Sequence, residues 1–182
     1  MSARERDSAL IAFEQSLREL MPELLRYFVR RLSDAEDAAD ALSETLLVLW
    51  RRRTSVPRER EDFRRYGFGV ARKVLLAARR GRLARREYTD ELVEELAVQI
   101  EPIEPDVDLH RALASLKEPE RELVLLVAWE GFSLAEAASV LRINPAAARQ
   151  RYGRARARLR SELTADSSPR SRSSRGLLAP GQ

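Results

Sequence analysis

The 182-residue sequence contains no cysteine and a single histidine, His110. Without thiols the chain forms no disulfide and has no thiolate nucleophile or thiolate metal site. His110 is interpreted as an ordinary residue near a helix start, because no metal-ligand set surrounds it in the sequence. No nucleophile–base pair or phosphate-binding loop is visible either. We therefore expect no enzymatic activity, no metal and no other cofactor.

The sequence also lacks a long apolar run. A transmembrane helix needs about 18 or more consecutive apolar residues, and no such segment is present. The N-terminus, MSARERDSALIAFEQ, mixes charges where a secretory signal peptide needs an apolar stretch. With 44% hydrophobic residues the chain can still bury small cores. These features predict a cytoplasmic protein of one or two small domains.

Charge is distributed unevenly along the chain. The formal net charge is only +4, but residues 51–86 carry +11 and residues 87–108 carry −9 with no basic side chain. Residues 109–163 are basic again, at +4. Two basic blocks separated by an acidic one make nucleic acid a candidate partner and indicate a linker between two domains.

Apolar side chains recur at helical spacing outside the linker and the tail, and no useful strand-like alternation is present. The first domain is predicted to contain three or four helices, and Pro22 is predicted to open a new helical segment. Ser33 followed by Glu36 is a capping-box sequence, and it predicts the start of a helix that runs to Trp50.

The second domain is predicted to end in a helix-turn-helix. Ser133 and Glu136 form a second capping box, and Asn144 with Pro145 makes a cap and a first turn for the last helix. Six arginines follow on that helix: Arg149, Arg151, Arg154, Arg156, Arg158 and Arg160. Two short helices joined by a tight turn, the second one basic, are typical of this DNA-binding motif.

The predicted fold is all-α, with two small helical domains joined by an acidic linker. The first domain spans residues 1–86, the linker 87–108 and the helix-turn-helix domain 109–163. Residues 164–182 are rich in serine and arginine and are predicted to be a disordered tail.

Three stretches of the chain, taken in order, carry a family resemblance. They are LLRYFVRRLSDAEDAADALSETLLVLWRRR, DFRRYGFGVARKVLLAARRGRLARR and LHRALASLKEPERELVLLVAWEGFSLAEAASVLRINPAAARQRYGRARARLR. Over residues 10–163 the chain resembles the small bacterial ECF-type (extracytoplasmic function) sigma factors. The resemblance implies a region-two-like helical bundle followed by a region-four-like helix-turn-helix domain. It also implies a function, which is to bind core RNA polymerase and direct promoter-specific transcription initiation, and a further partner, an anti-sigma factor.

The resemblance implies site residues by position. For contacts with the polymerase it implies Asp37, Asp40, Glu44 and Trp50. For the minus-ten element it implies Phe63, Arg64, Tyr66, Phe68, Arg72, Lys73, Arg79 and Arg80, with the rings stacking on unpaired bases and the basic groups holding phosphates. For the duplex minus-thirty-five element it implies Arg149, Gln150, Arg151 and Arg154, because arginine and glutamine can read base edges in the major groove.

Plainer interpretations remain open for several of these residues. Phe63 and Tyr66 share the spacing of core residues, so packing is their alternative role, and Phe68 is the ring expected to be exposed. Asp37, Asp40 and Glu44 lie in the N-terminal part of a predicted helix, where the helix dipole alone favours carboxylates. The arginines from Arg156 to Arg160 also fit a simple solvated face.

The alternative function is a degenerate sigma-like regulator, which binds protein partners or DNA without supporting promoter opening. Departures from the family pattern motivate it, and they fall at Tyr66, Gly67, Lys73, Ala77, Ala147 and Ala148. A stand-alone helix-turn-helix repressor would leave the whole first domain unexplained.

Overall fold

The structure is a computed structural model that describes residues 3–32, 34–81 and 107–166. These residues form seven helices and no strand: α1 Ala3–Val29, α2 Ala35–Arg51, α3 Arg60–Ala78, α4 Val107–Ser115, α5 Glu118–Ala128, α6 Leu134–Leu141 and α7 Pro145–Asp166. The all-α prediction is confirmed. Most of the predicted linker and of the predicted tail lies outside the described residues. None of the described helices combines the length and the apolar character that crossing a membrane requires.

Helix α1 runs unbroken through Pro22, so the prediction of a new segment at that residue is wrong. A proline inside a helix removes one backbone hydrogen bond and is usually costly. Here Leu20 and Leu24, on either side of the proline, are both buried in the main core. The burial of this face offsets the lost hydrogen bond and keeps the helix continuous.

Helix α2 is capped by Asp34. The Oδ1 atom of Asp34 accepts a hydrogen bond from the backbone N–H of Glu36 at 2.8 Å, which is the role of an N-cap residue. Ser33, the predicted cap, lies outside the described residues.

The main hydrophobic core draws on both ends of the chain, which we call the N-terminal half (residues 3–81) and the C-terminal half (residues 107–166). Leu24, Phe28 and Phe68 of the N-terminal half are fully buried, and Leu126 and Phe132 of the C-terminal half join them. A smaller core lies within the C-terminal half and contains Leu113, Leu116, Val124, Leu125 and Ala155. The two halves therefore pack directly against each other.

The helix-turn-helix is formed by α6 and α7. The predicted capping box is confirmed, because Ser133 Oγ accepts from the N–H of Glu136 at 3.3 Å and the N–H of Ser133 donates to Glu136 Oε2 at 2.9 Å. Helix α6 ends at Leu141, and the next residue, Arg142, has a left-handed backbone with a φ of 55°. Asn144 then caps α7, since its Oδ1 accepts from the N–H of Ala146 at 2.8 Å.

Candidate nucleic-acid and protein interfaces

Helix α7 presents a basic outer surface. Ala148 and Ala155 are buried on its inner face, with exposed fractions of 0% and 1%. This orientation turns the predicted minus-thirty-five residues away from the core: Arg149, Gln150 and Arg154 are exposed and Arg151 is half-buried. An exposed, capped helix that carries these side chains near its N-terminus has the features of a recognition helix.

A groove of about 280 Å³ runs along α7, beside the start of α6. Its lining includes Arg149, Tyr152, Arg156 and Arg160 from α7 and Leu134 from α6. The guanidinium carbon of Arg156 lies 5.8 Å from the centre of the Tyr152 ring. Arg156 and Arg160, further along this groove than Arg149, can contact backbone phosphates, which position a protein on DNA without reading its sequence.

The aromatic rings of α3 are turned toward protein. Phe63 is 4% exposed and lies edge-to-face with Phe13, with ring centroids 5.8 Å apart. Tyr66 is half-buried. The expectation that Phe68 is exposed is wrong, because its exposed fraction is 0% and its ring lies edge-to-face with Phe132 at 5.0 Å. Phe68 meets a second apolar surface, supplied by the C-terminal half.

Six basic side chains on α3 and directly after it fall into two groups. Three of them contact the C-terminal half: Arg64 donates to the backbone carbonyl of Glu130, Arg65 lies 3.9 Å from Glu136, and Arg79 lies 3.4 Å from Glu118. Lys73 and Arg80 are exposed, and Arg72 is half-buried. In this arrangement the C-terminal half covers part of the predicted minus-ten surface.

Helix α2 carries the predicted polymerase contacts, which differ in accessibility. Asp37 is exposed, and so is Trp50, with an exposed fraction of 38%. Arg53 places its guanidinium carbon 5.3 Å from the Trp50 ring centre. Glu44 is half-buried, whereas Asp40 is only 6% exposed. A partner can therefore reach Asp37 and Trp50, but not the Asp40 carboxylate.

Four buried polar residues between the halves, which we call the interface cluster, were not singled out from the sequence. They are Tyr27 of α1, Arg31 in the turn after α1, Glu122 of α5, and Glu130 in the turn after α5. Arg31 Nε donates to the two Glu122 carboxylate oxygens at 3.1 and 2.9 Å, and Arg31 Nη1 donates to Glu130 Oε1 at 2.9 Å. The Tyr27 hydroxyl donates to Glu122 Oε1 at 3.0 Å.

The cluster excludes water. The side chains of Arg31, Glu122 and Glu130 have exposed fractions of 1%, 3% and 4%. Burial by itself would lower the pKa of Arg31, but its interactions with Glu122, Tyr27 and Glu130 together outweigh burial and raise the pKa, so the guanidinium stays charged. Burial, followed by the Glu122 charge, raises the pKa of Tyr27 well above its ordinary value. The Tyr27 phenol therefore keeps the proton that it donates.

The sequence held one signal for this cluster. Arg31 lies next to Arg30 between Val29 and Leu32, and Glu122 follows Arg121 directly before the apolar run LVLLV. Charged residues are almost never fully buried unless they are paired. A charge within each of two buried faces is thus a sign of an ion pair between them. Within the described ranges, no cluster of three or more histidine and acidic side chains is placed to hold a metal ion.

Comparisons with known proteins match both halves of the chain. The family described as Sigma-70 region 2 matches residues 17–93, and the family described as Sigma-70, region 4 matches residues 106–159. The ECF RNA polymerase sigma factor SigF of Caulobacter vibrioides (strain NA1000 / CB15N) is 34% identical over 151 residues. This alignment covers 82% of the present chain and 84% of SigF.

Two solved structures have a similar fold. The sigma factor RpoE, in complex with the anti-sigma factor NepR from Bartonella quintana, gives a TM-score of 0.64 at 24% identity, over 85% of this chain and 98% of RpoE. CnrH, in complex with the cytosolic domain of CnrY, gives a TM-score of 0.53 at 26% identity, over 86% of this chain and 97% of CnrH. The helix-turn-helix, the two matched regions in their order and the identity to SigF lead to one assignment: this chain belongs to the ECF family of RNA polymerase sigma factors.

Proposed function

We propose that the protein directs core RNA polymerase to promoters, with α2 facing the polymerase, α3 contacting the minus-ten element and α7 reading the minus-thirty-five element. The observation that carries this proposal is the capped helix α7, which turns Arg149, Gln150 and Arg154 outward from a helix-turn-helix in a chain of the ECF family. The protein acts in the cytoplasm and has no catalytic step of its own.

The readout by α7 divides between two kinds of contact. Arg149 and Gln150 lie near the N-terminus of the recognition helix, where side chains meet base edges in the major groove. Arg158 lies more than two turns further along and is exposed, so it contacts phosphates. Base contacts give sequence specificity, whereas phosphate contacts give affinity that depends on salt.

This division is tested with holoenzyme assembled from core polymerase and the full chain. Promoter binding is measured at several salt concentrations, on a promoter with its own minus-thirty-five element and on copies with single base changes. Arg149→Ala should relax the preference for the native element, with a loss of about 1–3 kcal/mol of discrimination at one position. Arg158→Ala is the matched control, and it should weaken binding to all sequences equally and reduce the salt slope by about 1. Equal effects of both substitutions on every sequence would refute base readout by Arg149.

An anti-sigma factor is a further proposed partner. The family resemblance supports it, and RpoE, which has a similar fold, is bound to an anti-sigma factor in its solved structure. The exposed residues Asp37 and Trp50 of α2 are available to a protein partner in the arrangement seen here.

The degenerate regulator remains the second candidate function. One of the departures from the family pattern that suggested it, Gly67, now has another explanation. Gly67 lies where α3 crosses α1, and a Cβ atom at this position would be 2.5 Å from Leu20 Cδ2. A side chain at Gly67 would displace the end of the Leu20 side chain, so packing accounts for the glycine without a loss of function.

A further inference from the structure

We propose that Arg31 is a latch: it holds the two halves in this closed arrangement and so keeps the predicted minus-ten surface of α3 covered in the free protein. The inference rests on the proposed function, because it concerns access to the surface that the proposal assigns to DNA.

The geometry of Arg31 is that of a clamp between the halves. A single guanidinium, which belongs to the N-terminal half, donates to both carboxylates of the interface cluster in the C-terminal half, Glu122 and Glu130. Its Nη1 also donates to the Tyr27 carbonyl at 3.0 Å, and its carbon lies 3.8 Å from the Tyr27 ring centre. Both of these contacts lie within the N-terminal half, so they orient the arginine side chain toward the two carboxylates.

The latch and the covered surface share a residue. The side chain of Glu130 pairs with Arg31, while its backbone carbonyl accepts a hydrogen bond from Arg64 of α3. The turn that follows Glu130 brings Phe132 onto Phe68. When Arg31 holds Glu130, two predicted minus-ten residues, Arg64 and Phe68, are therefore engaged with protein and not with DNA.

The energetics of the interface cluster favour two states, one with the halves packed together and one with the halves separated. Buried charges are tolerated only while their partners are complete, and removing one partner leaves an uncompensated buried charge, which is strongly destabilising. Without Arg31, Glu130 keeps its ion pair with Arg30 at 3.3 Å, whereas Glu122 loses its cationic partner. Separation of the halves relieves that penalty, because water then solvates Glu122. Loss of the Arg31 charge should therefore open the protein, while each half keeps the helix contacts within it.

The absence of cysteine allows a direct test. Ser55→Cys in the turn after α2 and Ala114→Cys in α4, both at exposed positions, would give the full chain two spin labels for a distance measurement. Arg31→Met and Glu122→Gln are introduced separately into this background. Arg18→Met is the control, since it also removes one arginine charge from the N-terminal half, at an exposed position on α1.

The latch predicts one short, narrow distance distribution for the parent and for Arg18→Met, and a longer, broader distribution for Arg31→Met and Glu122→Gln. Circular dichroism should show the same helical content in all four proteins. An unchanged distance in Arg31→Met, with helical content intact, would overturn the proposal. If Arg31→Met loses helical content, the distance distribution of Glu122→Gln tests the latch by itself. An unchanged distance in that variant would then overturn the proposal.

Binding to a labelled single-stranded oligonucleotide of random sequence separates this inference from the function on which it rests. If the closed state hides α3, apparent affinity is reduced by the fraction of open protein, and Arg31→Met should bind about tenfold more tightly than the parent. An Arg31→Met protein that is open but binds no more tightly would support the latch and refute the assignment of α3 as the DNA surface.

Discussion

Gly67 of α3 lies against Leu20 of α1 at a point where the two helices leave no room for a side chain. A Cβ atom at Gly67 would be 2.5 Å from Leu20 Cδ2 and 3.9 Å from Leu49 Cδ1. Both leucines are buried, with exposed fractions of 4% and 0%. The glycine therefore leaves room for the end of the Leu20 side chain where α3 packs against α1.

Gly67→Ala should lower the free energy of unfolding by about 1 kcal/mol. The substitution gains about 1 kcal/mol of helix propensity, but the new methyl group forces a shift of Leu20 in a packed core, which costs about 1–3 kcal/mol. Gly69→Ala is the matched control on the same helix, since a Cβ there meets nothing within 4 Å. It should stabilise the protein by about 0.5–1 kcal/mol. Urea unfolding that ranks Gly67→Ala above the parent would contradict this packing.

Arg142→Gly should raise the free energy of unfolding by about 1 kcal/mol. Arg142 adopts a φ of 55° at the end of α6, and a residue with a Cβ atom is penalised by about 1–2 kcal/mol in this left-handed conformation. Glycine is the residue favoured at such helix ends. Arg142→Ala separates the backbone effect from the loss of charge, because alanine keeps the penalty and should give no gain. Thermal unfolding of the three proteins measures the difference, and equal stabilisation by alanine and glycine would exclude the backbone explanation.

Stability should fall as the pH rises above about 10, in part because of Tyr27. The pKa of Tyr27 is raised in the folded state by burial and by Glu122, whereas in the unfolded chain it has its usual value near 10. The contribution of the protonated phenol is therefore complete below about pH 10 and is lost as the pH rises through the folded-state pKa.

The Tyr27→Phe variant tests this linkage. It removes the hydrogen bond to Glu122, so it should be less stable than the parent near neutral pH by about 1 kcal/mol. It should also lose less stability than the parent between pH 9 and pH 11, as measured by urea unfolding at each pH. Parallel profiles for the two proteins would show that Tyr27 does not contribute to the alkaline loss.

Much of the C-terminal half could be predicted from local sequence. Ser133, Glu136 and Asn144 act through hydrogen bonds to backbone groups two or three residues away. Such contacts depend only on residue type and spacing, so both caps were found where the sequence placed them. The outward orientation of Arg149 follows from the buried positions of Ala148 and Ala155 in the same way.

The contact between the halves could not be predicted in this way. Helical periodicity reports that a face is buried, but it does not identify the surface that buries it. Phe68 was expected to be exposed because only the first domain was considered as its neighbour, and Phe132 lies 64 residues further along the chain. The continuity of α1 through Pro22 was missed for a similar reason, since tertiary burial outweighs a local preference.

We conclude that this protein directs promoter-specific transcription. The most direct measurement mixes the purified chain with bacterial core RNA polymerase and genomic DNA, and maps the transcript starts that appear only when the chain is present. A protein with this function should produce discrete new transcript starts that share two upstream elements at a fixed spacing. Binding to the polymerase without any new start would contradict it and would identify the protein as a degenerate regulator.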